Sequence, residues 1–278
     1  MKLAAAARHF DRQVLRDAYG TATVRGQFDL FDDSKRDGAV TRRRILSVDP
    51  YVSIPARRAL QLDGYTWLVG SGNPDYFGSG PIRRKYVLHE ADGLASVQTL
   101  AQFIAGTSGL SAYAALEWVK ATKEIDESSD LTDVLGAMFA ATESVPGIGV
   151  MTLAGKHYLL REPHETAAGF LSVLVDEIKA PALEAGTFTG RAYDPVADTW
   201  GGTPVAVNFL RLRWQSHFRY LSQRTLAFQP GDDVLICLQS AATPKANDRI
   251  TLSDGAWQVL TVQAEDSCWS VHARRVPA

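Results

Sequence analysis

Three stretches of this chain carry one pattern: two apolar residues two positions apart, four intervening residues, then an aromatic and an aliphatic residue two apart. They are Leu60, Leu62, Trp67 and Val69; Met151, Leu153, Tyr158 and Leu160; and Ile250, Leu252, Trp257 and Val259. In an extended strand, residues two apart share a face, so each apolar pair points one way. The connecting segments contain Asp63-Gly64, Ala154-Gly155 and Asp254-Gly255, and glycine supplies the positive φ of tight turns. Each site therefore predicts a β-hairpin with one apolar face anchored by an aromatic ring.

The similarity runs upstream and downstream of the hairpins. Asp133-Val134-Leu135 precedes the second and Asp233-Val234-Leu235 the third, with Ile45-Leu46 in the comparable place before the first. Ala140-Ala141-Thr142 and Ala241-Ala242-Thr243 match with an offset of one residue. Strand-like stretches follow each hairpin at 85–89, 170–175 and 269–274. The expectation is a mainly β protein of tandem small β-barrel or β-sandwich modules, over 1–91, 92–185 and 186–278.

Two helices are expected in this frame. Leu3, Ala7, Phe10 and Val14 fall at helical spacing with Arg8, Asp11, Arg12 and Arg16 mostly between them, and Gly20 is placed to end that helix. Leu110, Ala114, Trp118 and Ile125 suggest an internal helix over 110–125, with Ser108 and Ser111 as caps. The glycines and prolines between 180 and 204 mark turns and a module boundary. Residues 205–213 alternate as a strand does.

Composition narrows the function classes. With 278 residues, 46% hydrophobic residues and a formal net charge of −2, the chain reads as an ordinary globular protein. Near-neutral charge argues against exposed nucleic acid as the main partner. The four alanines near the start do not make a secretory signal. No segment approaches the ~20 apolar residues that span a bilayer, so no membrane is expected. The two cysteines, Cys237 and Cys268, read as small buried side chains of a protein made in a reducing cytoplasm.

Reactive constellations are hard to find. The six histidines, His9, His89, His157, His164, His217 and His272, are isolated along the chain, and no His-Glu-x-x-His arrangement joins any two. No Gly-x-Ser-x-Gly elbow and no Gly-x-x-x-x-Gly-Lys phosphate loop occurs. A carbohydrate hydrolase would need two converging carboxylates, whereas Asp63 and Asp254 fall in turns of separate modules. Neither an enzyme nor a metal or cofactor is expected.

Two features are candidates for contact surfaces. Gly70-Ser71-Gly72 and Gly78-Ser79-Gly80 bracket Asn73, Pro74, Asp75, Tyr76 and Phe77. This reads as an aromatic-tipped loop between two strands, used to touch a neighbouring subunit. Arg42, Arg43 and Arg44, and Arg83, Arg84 and Lys85, sit in or beside strands, where alternate side chains point to opposite faces. Salt bridges across a subunit interface, contact with packaged DNA and a solvated edge strand are three open readings of these charges.

The first ninety residues resemble a known layout. A helix containing Phe10-Asp11-Arg12 leads into Gly20-Thr21-Ala22-Thr23-Val24-Arg25-Gly26-Gln27-Phe28-Asp29; a middle strand follows. Then come the hairpin Leu60-Gln61-Leu62-Asp63-Gly64-Tyr65-Thr66-Trp67-Leu68-Val69 and a return through Tyr86-Val87-Leu88. This is similar to the head–tail joining proteins (stoppers or connectors) of long-tailed phages, and 248–274 resembles the closing half of the same family. The resemblance implies a non-enzymatic virion protein of the neck, made in the host cytoplasm and assembled as a homo-oligomeric ring around the DNA channel. Its implied partners are the portal or adaptor protein and tail proteins. Family members are single small domains, a departure that leaves open another virion β-module role, such as a tail-completion, tail-tube or baseplate component.

Overall fold

The computed structural model describes residues 13–30, 42–54, 59–77, 80–122, 131–140, 143–179, 181–190, 193–194, 196, 199–213, 229 and 231–276. Twenty strands and one short helix occupy these residues. The first barrel is built from β1 (Gln13–Asp17), β2 (Thr23–Leu30), β3 (Arg43–Val48), β4 (Ala59–Leu62), β5 (Tyr65–Phe77) and β6 (Gly80–Glu90). The second uses β7 (Gly93–Thr99), β8 (Leu110–Thr122), β9 (Leu131–Ala140), β10 (Ile148–Leu153), β11 (Lys156–Glu165) and β12 (Phe170–Ile178). The third uses β13 (Leu183–Thr189), β16 (Val205–Arg213), β17 (Asp232–Leu238), β18 (Arg249–Leu252), β19 (Gly255–Glu265) and β20 (Cys268–Arg275). A separate two-stranded hairpin, β14 (Tyr193–Asp194) and β15 (Thr199–Trp200), interrupts it after its first strand.

The three barrels are closed and share one topology. Numbered by order within each barrel, the strands run 1-2-3-6-5-4 around the ring in every case. Each barrel is thus two three-stranded meanders joined antiparallel along both seams, strand 3 to strand 6 and strand 1 to strand 4. Within each barrel wall, closure pairs every strand on both sides.

The repeated pattern maps onto strands 4 and 5 of all three. Leu60 faces Trp67, Met151 faces Tyr158 and Ile250 faces Trp257, each in direct cross-strand register. The segments upstream of the hairpins become strand 3, and those downstream become strand 6. Asp63 and Gly64 (φ 52° and 84°), like Ala154 and Gly155 (50° and 77°), make two-residue turns with both φ positive, the geometry that matches strand twist. In the third copy Leu252 pairs with Gly255, and the positive φ of 132° moves to that glycine.

Alternation decides what each barrel encloses. Leu15, Leu46, Val48, Leu60, Trp67, Val69, Tyr86 and Leu88 fill the first barrel. Phe188, Phe209, Leu235, Ile250, Trp257, Val259 and Val271 fill the third. The outer faces are also partly buried, which is why β16 and β17 read as near-continuous apolar runs.

Packing divides the chain into two compact units. One comprises Met1–Ala95, Ser111–Gly147 and Glu162–Val175; the other comprises Ser96–Leu110, Ile148–Arg161 and Asp176–Ala278. In the first unit, Ala59 and Leu68 on the outside of barrel 1 pack with Ala115, Met138 and Phe170 of β8, β9 and β12. In the second, helix α1 (Leu100–Ala105) buries Leu100, Phe103 and Ile104 among Val150, Leu159, Leu210, Leu212, Val234 and Ile236.

Two helix expectations need correction. Residues 110–122 form strand β8, while 123–125, with Ile125, lie outside the described residues; Ala112 and Ala114 are buried as alternating members of one face, and Ser111 lies in the strand rather than at a helix cap. The real helix lies earlier, held by a capping box in which Thr99 and Gln102 each bond the other's backbone N–H, and it ends at Gly106 in the left-handed conformation. At the N-terminus, Val14 and Arg16 belong to strand β1, while residues 1–12 lie outside the described residues. No helix among the described residues is long and apolar enough to cross a membrane.

Candidate functional site

The stretch carrying Asn73, Pro74, Asp75, Tyr76 and Phe77 is not a loop. It continues β5 and pairs with β6 through Asn73–Lys85, Pro74–Arg84, Asp75–Arg83, Tyr76–Pro81 and Phe77–Gly80, with register shifts after Val69 and Asp75. Strand β3 pairs with β6 only over Arg84–His89, and β4 meets β5 only over Tyr65–Leu68. Residues 72–77 and 80–83 therefore form a two-stranded arm beyond the barrel wall. Its outer face is cross-braced: Asp75 accepts from Arg83 Nε at 2.7 Å and from Lys85 Nζ at 3.0 Å. Those hydrogen bonds, Arg83 first, hold the Asp75 carboxyl below the usual range. Tyr76 is 61% exposed, while Arg84 faces the opposite side from Arg83 and Lys85.

The other arginine cluster works inside the first unit. Arg42 donates to Asp92 (2.8 Å) and to the carbonyls of Leu116 (3.0 Å) and Glu90 (3.1 Å). Arg43 reaches Glu117 at 3.4 Å, and Arg44 lies 5.8 Å from the centre of the Trp67 ring. Neighbouring contacts complete this joint. Tyr113 N donates to Tyr19 Oη at 2.9 Å, and the two rings meet edge to face at 5.2 Å. Burial, with Glu143 nearby, pushes the Tyr19 hydroxyl up to about 12 despite that donated bond. Gly70 and Gly169 allow close backbone approach: a Cβ on Gly70 would stand 2.3 Å from the Ala168 carbonyl oxygen, and Ser71 N bonds that same oxygen at 2.9 Å.

Barrel 3 holds two clusters of charge. Arg211, on the interior line of β16, bonds Asp233 (2.7 Å), Asp254 (3.0 Å) and Glu184 (3.2 Å). Burial disfavours its charge, but these carboxylates outweigh burial and raise its pKa. On the outside of the same barrel, the fully buried Asp232 accepts from Arg274 (2.7 and 2.9 Å), Gln229 N (2.9 Å) and His272 Nε2 (2.9 Å). A groove of about 590 Å³ runs over the outer face of β13, β18 and β19, where Thr189, Arg249 and Gln258 lie side by side.

These groups pair with partners within the chain. Among the described residues, no three His, Cys, Asp or Glu side chains gather as metal ligands. His157 bonds Thr152 Oγ1 at 2.9 Å, and His9 and His217 lie outside the described residues. Sequence reasoning named the arginines but not their partners Asp92 and Glu117, nor the Arg211 cluster. Those pairs are separated by tens of residues and leave no local spacing to read. Comparison with protein-family models, curated proteins and solved structures returns no match.

Proposed function

We propose that this chain is a non-enzymatic structural protein of a tailed-phage particle, acting in the neck as a ring that joins the DNA-filled head to the tail. The observation that carries this reading is the reuse of one closed six-stranded barrel three times in a chain, with a braced two-stranded arm extending from the first. Closed barrels resist uncontrolled strand pairing, and rigid modules are tiled by cyclic symmetry through one head-to-tail contact. The arm offers paired backbone and an exposed Tyr76 as a contact with the neighbouring copy, with portal and tail proteins above and below. The clusters at 42–44 and 83–85 are largely occupied by partners within the chain, which favours bracing over a DNA-facing role.

The experiment is removal of the gene followed by electron microscopy of the products. Filled heads and free tails that fail to join support the reading, and normal joined particles overturn it. One observation favours a second reading: three barrels stand where the resembling family has one small domain. A tail-completion, tail-tube or baseplate component accommodates that count, and the position of the chain in a particle map separates the two.

A further inference from the structure

The repeat sets one cross-strand pair at the same outward position in all three barrels. Ala59 pairs with Leu68, Val150 with Leu159 and Arg249 with Gln258. Each first member precedes the inward Leu60, Met151 or Ile250, and each second follows Trp67, Tyr158 or Trp257. Alternation therefore turns all six side chains to the outside of strands 4 and 5.

In the first two barrels this pair is a docking surface for the barrel that follows. Ala59 and Leu68, each 1% exposed, pack with Ala115, Met138 and Phe170 on strands 2, 3 and 6 of the second barrel. Val150 and Leu159 are fully buried and, with α1, pack among Leu210, Leu212, Val234, Ile236 and Cys268, again on strands 2, 3 and 6 of the next barrel. The third pair breaks the pattern. Arg249 is exposed and Gln258 half-exposed, Thr189 and Thr251 stand beside them, and all four line the polar groove over this wall. Covering the wall with another barrel's apolar face would strip water from a guanidinium and a carboxamide and give neither a partner, a cost that the Ala–Leu and Val–Leu pairs do not carry.

We infer that the β13–β18–β19 wall is the terminal cap of the barrel array: Arg249 and Gln258 stand where an apolar pair would accept a further barrel, and they confine barrel-on-barrel docking to the two joints within the chain. Repeat arrays carry a polar outer face at their ends because an open apolar wall would join one chain to the next. The cap does not depend on the neck role. It leaves contacts between copies to surfaces other than this wall.

The test is sedimentation of the whole chain over a range of concentrations. Arg249→Val with Gln258→Leu copies the second barrel's pair into the third. It should raise the average mass toward twice the wild-type value as concentration increases, because two apolar copies of the wall then meet face to face. Thr261→Val with Gln263→Leu changes exposed positions farther along β19 and should leave the mass at the wild-type value. A first variant that stays at the wild-type mass overturns the cap, as does a control that rises with it. An Arg249→Glu protein lighter than the wild type also overturns it, since the wall would then be a contact already in use. The reverse exchange is Leu68→Gln, which puts the third barrel's amide into the first joint. Ser71, whose N–H bonds the Ala168 carbonyl across that joint, should lose exchange protection while amides inside barrel 1 keep theirs. Wild-type protection at Ser71 in this variant overturns the cap too.

Discussion

The guanidinium of Arg211 lies 4.6 Å from the centre of the Trp257 ring, so the aromatic that anchors the third repeated hairpin also seats the charge at that end of barrel 3. Trp257 donates its indole N–H to Asp254 at 3.1 Å, and Asp254 in turn accepts from Arg211 at 3.0 Å. A barrel of this size needs its ends filled, and here one cation over an aromatic face, ringed by carboxylates, fills one.

Replacing Arg211 with methionine nearly keeps volume but removes the cation that Glu184 and Asp233, both nearly buried, share, leaving Glu184 with Arg213 at 3.4 Å. Breaking a buried pair this way costs about 3–5 kcal/mol. Exchange protection of the β17 amides should fall accordingly, with barrel 1 unaffected. Adding Glu184→Gln and Asp233→Asn to the same protein should recover part of the loss, because the penalty comes from stranded charge and not from missing attraction.

Acid should attack barrel 3 through Asp232. Burial would raise its pKa, but the hydrogen bonds from Arg274, Gln229 N and His272 prevail and hold it below the usual carboxylate range. A carboxylate depressed in the folded state stabilises above its unfolded pKa, and that contribution is lost as pH falls through the lower folded value. Barrel 3 should therefore be insensitive to pH above about 5 and weaken below about 4. Acid titration followed by tryptophan fluorescence checks this, and Asp232→Asn should flatten the acid limb while lowering stability at neutral pH.

The joint of the first unit predicts a separate defect. A methyl group on Gly70 meets the Ala168 carbonyl oxygen and the Phe170 ring, at 2.3 and 2.9 Å. Backbone does not give way as a flexible side chain does, so Gly70→Ala should force the two faces apart at a cost of about 1–3 kcal/mol. The expected signature is faster exchange at Ser71, which bonds Ala168, with the barrel 1 interior still protected. Gly64→Ala makes the contrast: nothing lies within 4 Å of its added Cβ, and its φ of 84° is the only strain.

What the sequence disclosed follows from how far apart the interacting residues lie. The hairpins at Leu60–Trp67, Met151–Tyr158 and Ile250–Trp257 close over seven residues, and their alternation and turns are local, so they could be read directly. The expected helix at 110–125 failed because Leu110, Ala114 and Trp118 fit a period of four and a period of two alike. Ala112 and Leu116 complete the second pattern. Helix α1 has six residues, too few for a periodic stripe, and only Thr99, Gln102 and Gly106 mark it. The aromatic-tipped loop proved to be strand because cross-strand pairing overrode the local signals of Gly72 and Pro74. Arg43 and Glu117, 74 positions apart, meet only once barrel 1 and β8 are packed together.

The cysteines give the last test. Cys237 belongs to the interior core of barrel 3 and Cys268 to the cluster around α1, so neighbouring strands carry the two thiols on opposite faces and cannot bridge them. Burial pushes Cys237 up to about 12 and Cys268 to about 11, with Glu265 and Asp266 adding to the latter. Both thiols therefore stay protonated at pH 8, and the thiolate is the reacting species. A disulfide reagent should label neither residue in the native chain on the timescale that labels both in urea, and oxidation should produce no intrachain bridge. Rapid native labelling confined to Cys268 would mean that the cluster around α1 opens while the barrel interior stays shut. Equal labelling of both would mean that β17 and β20 part, which the hydrogen-bond ladder from Asp232–Arg274 to Leu238–Cys268 resists along its whole length.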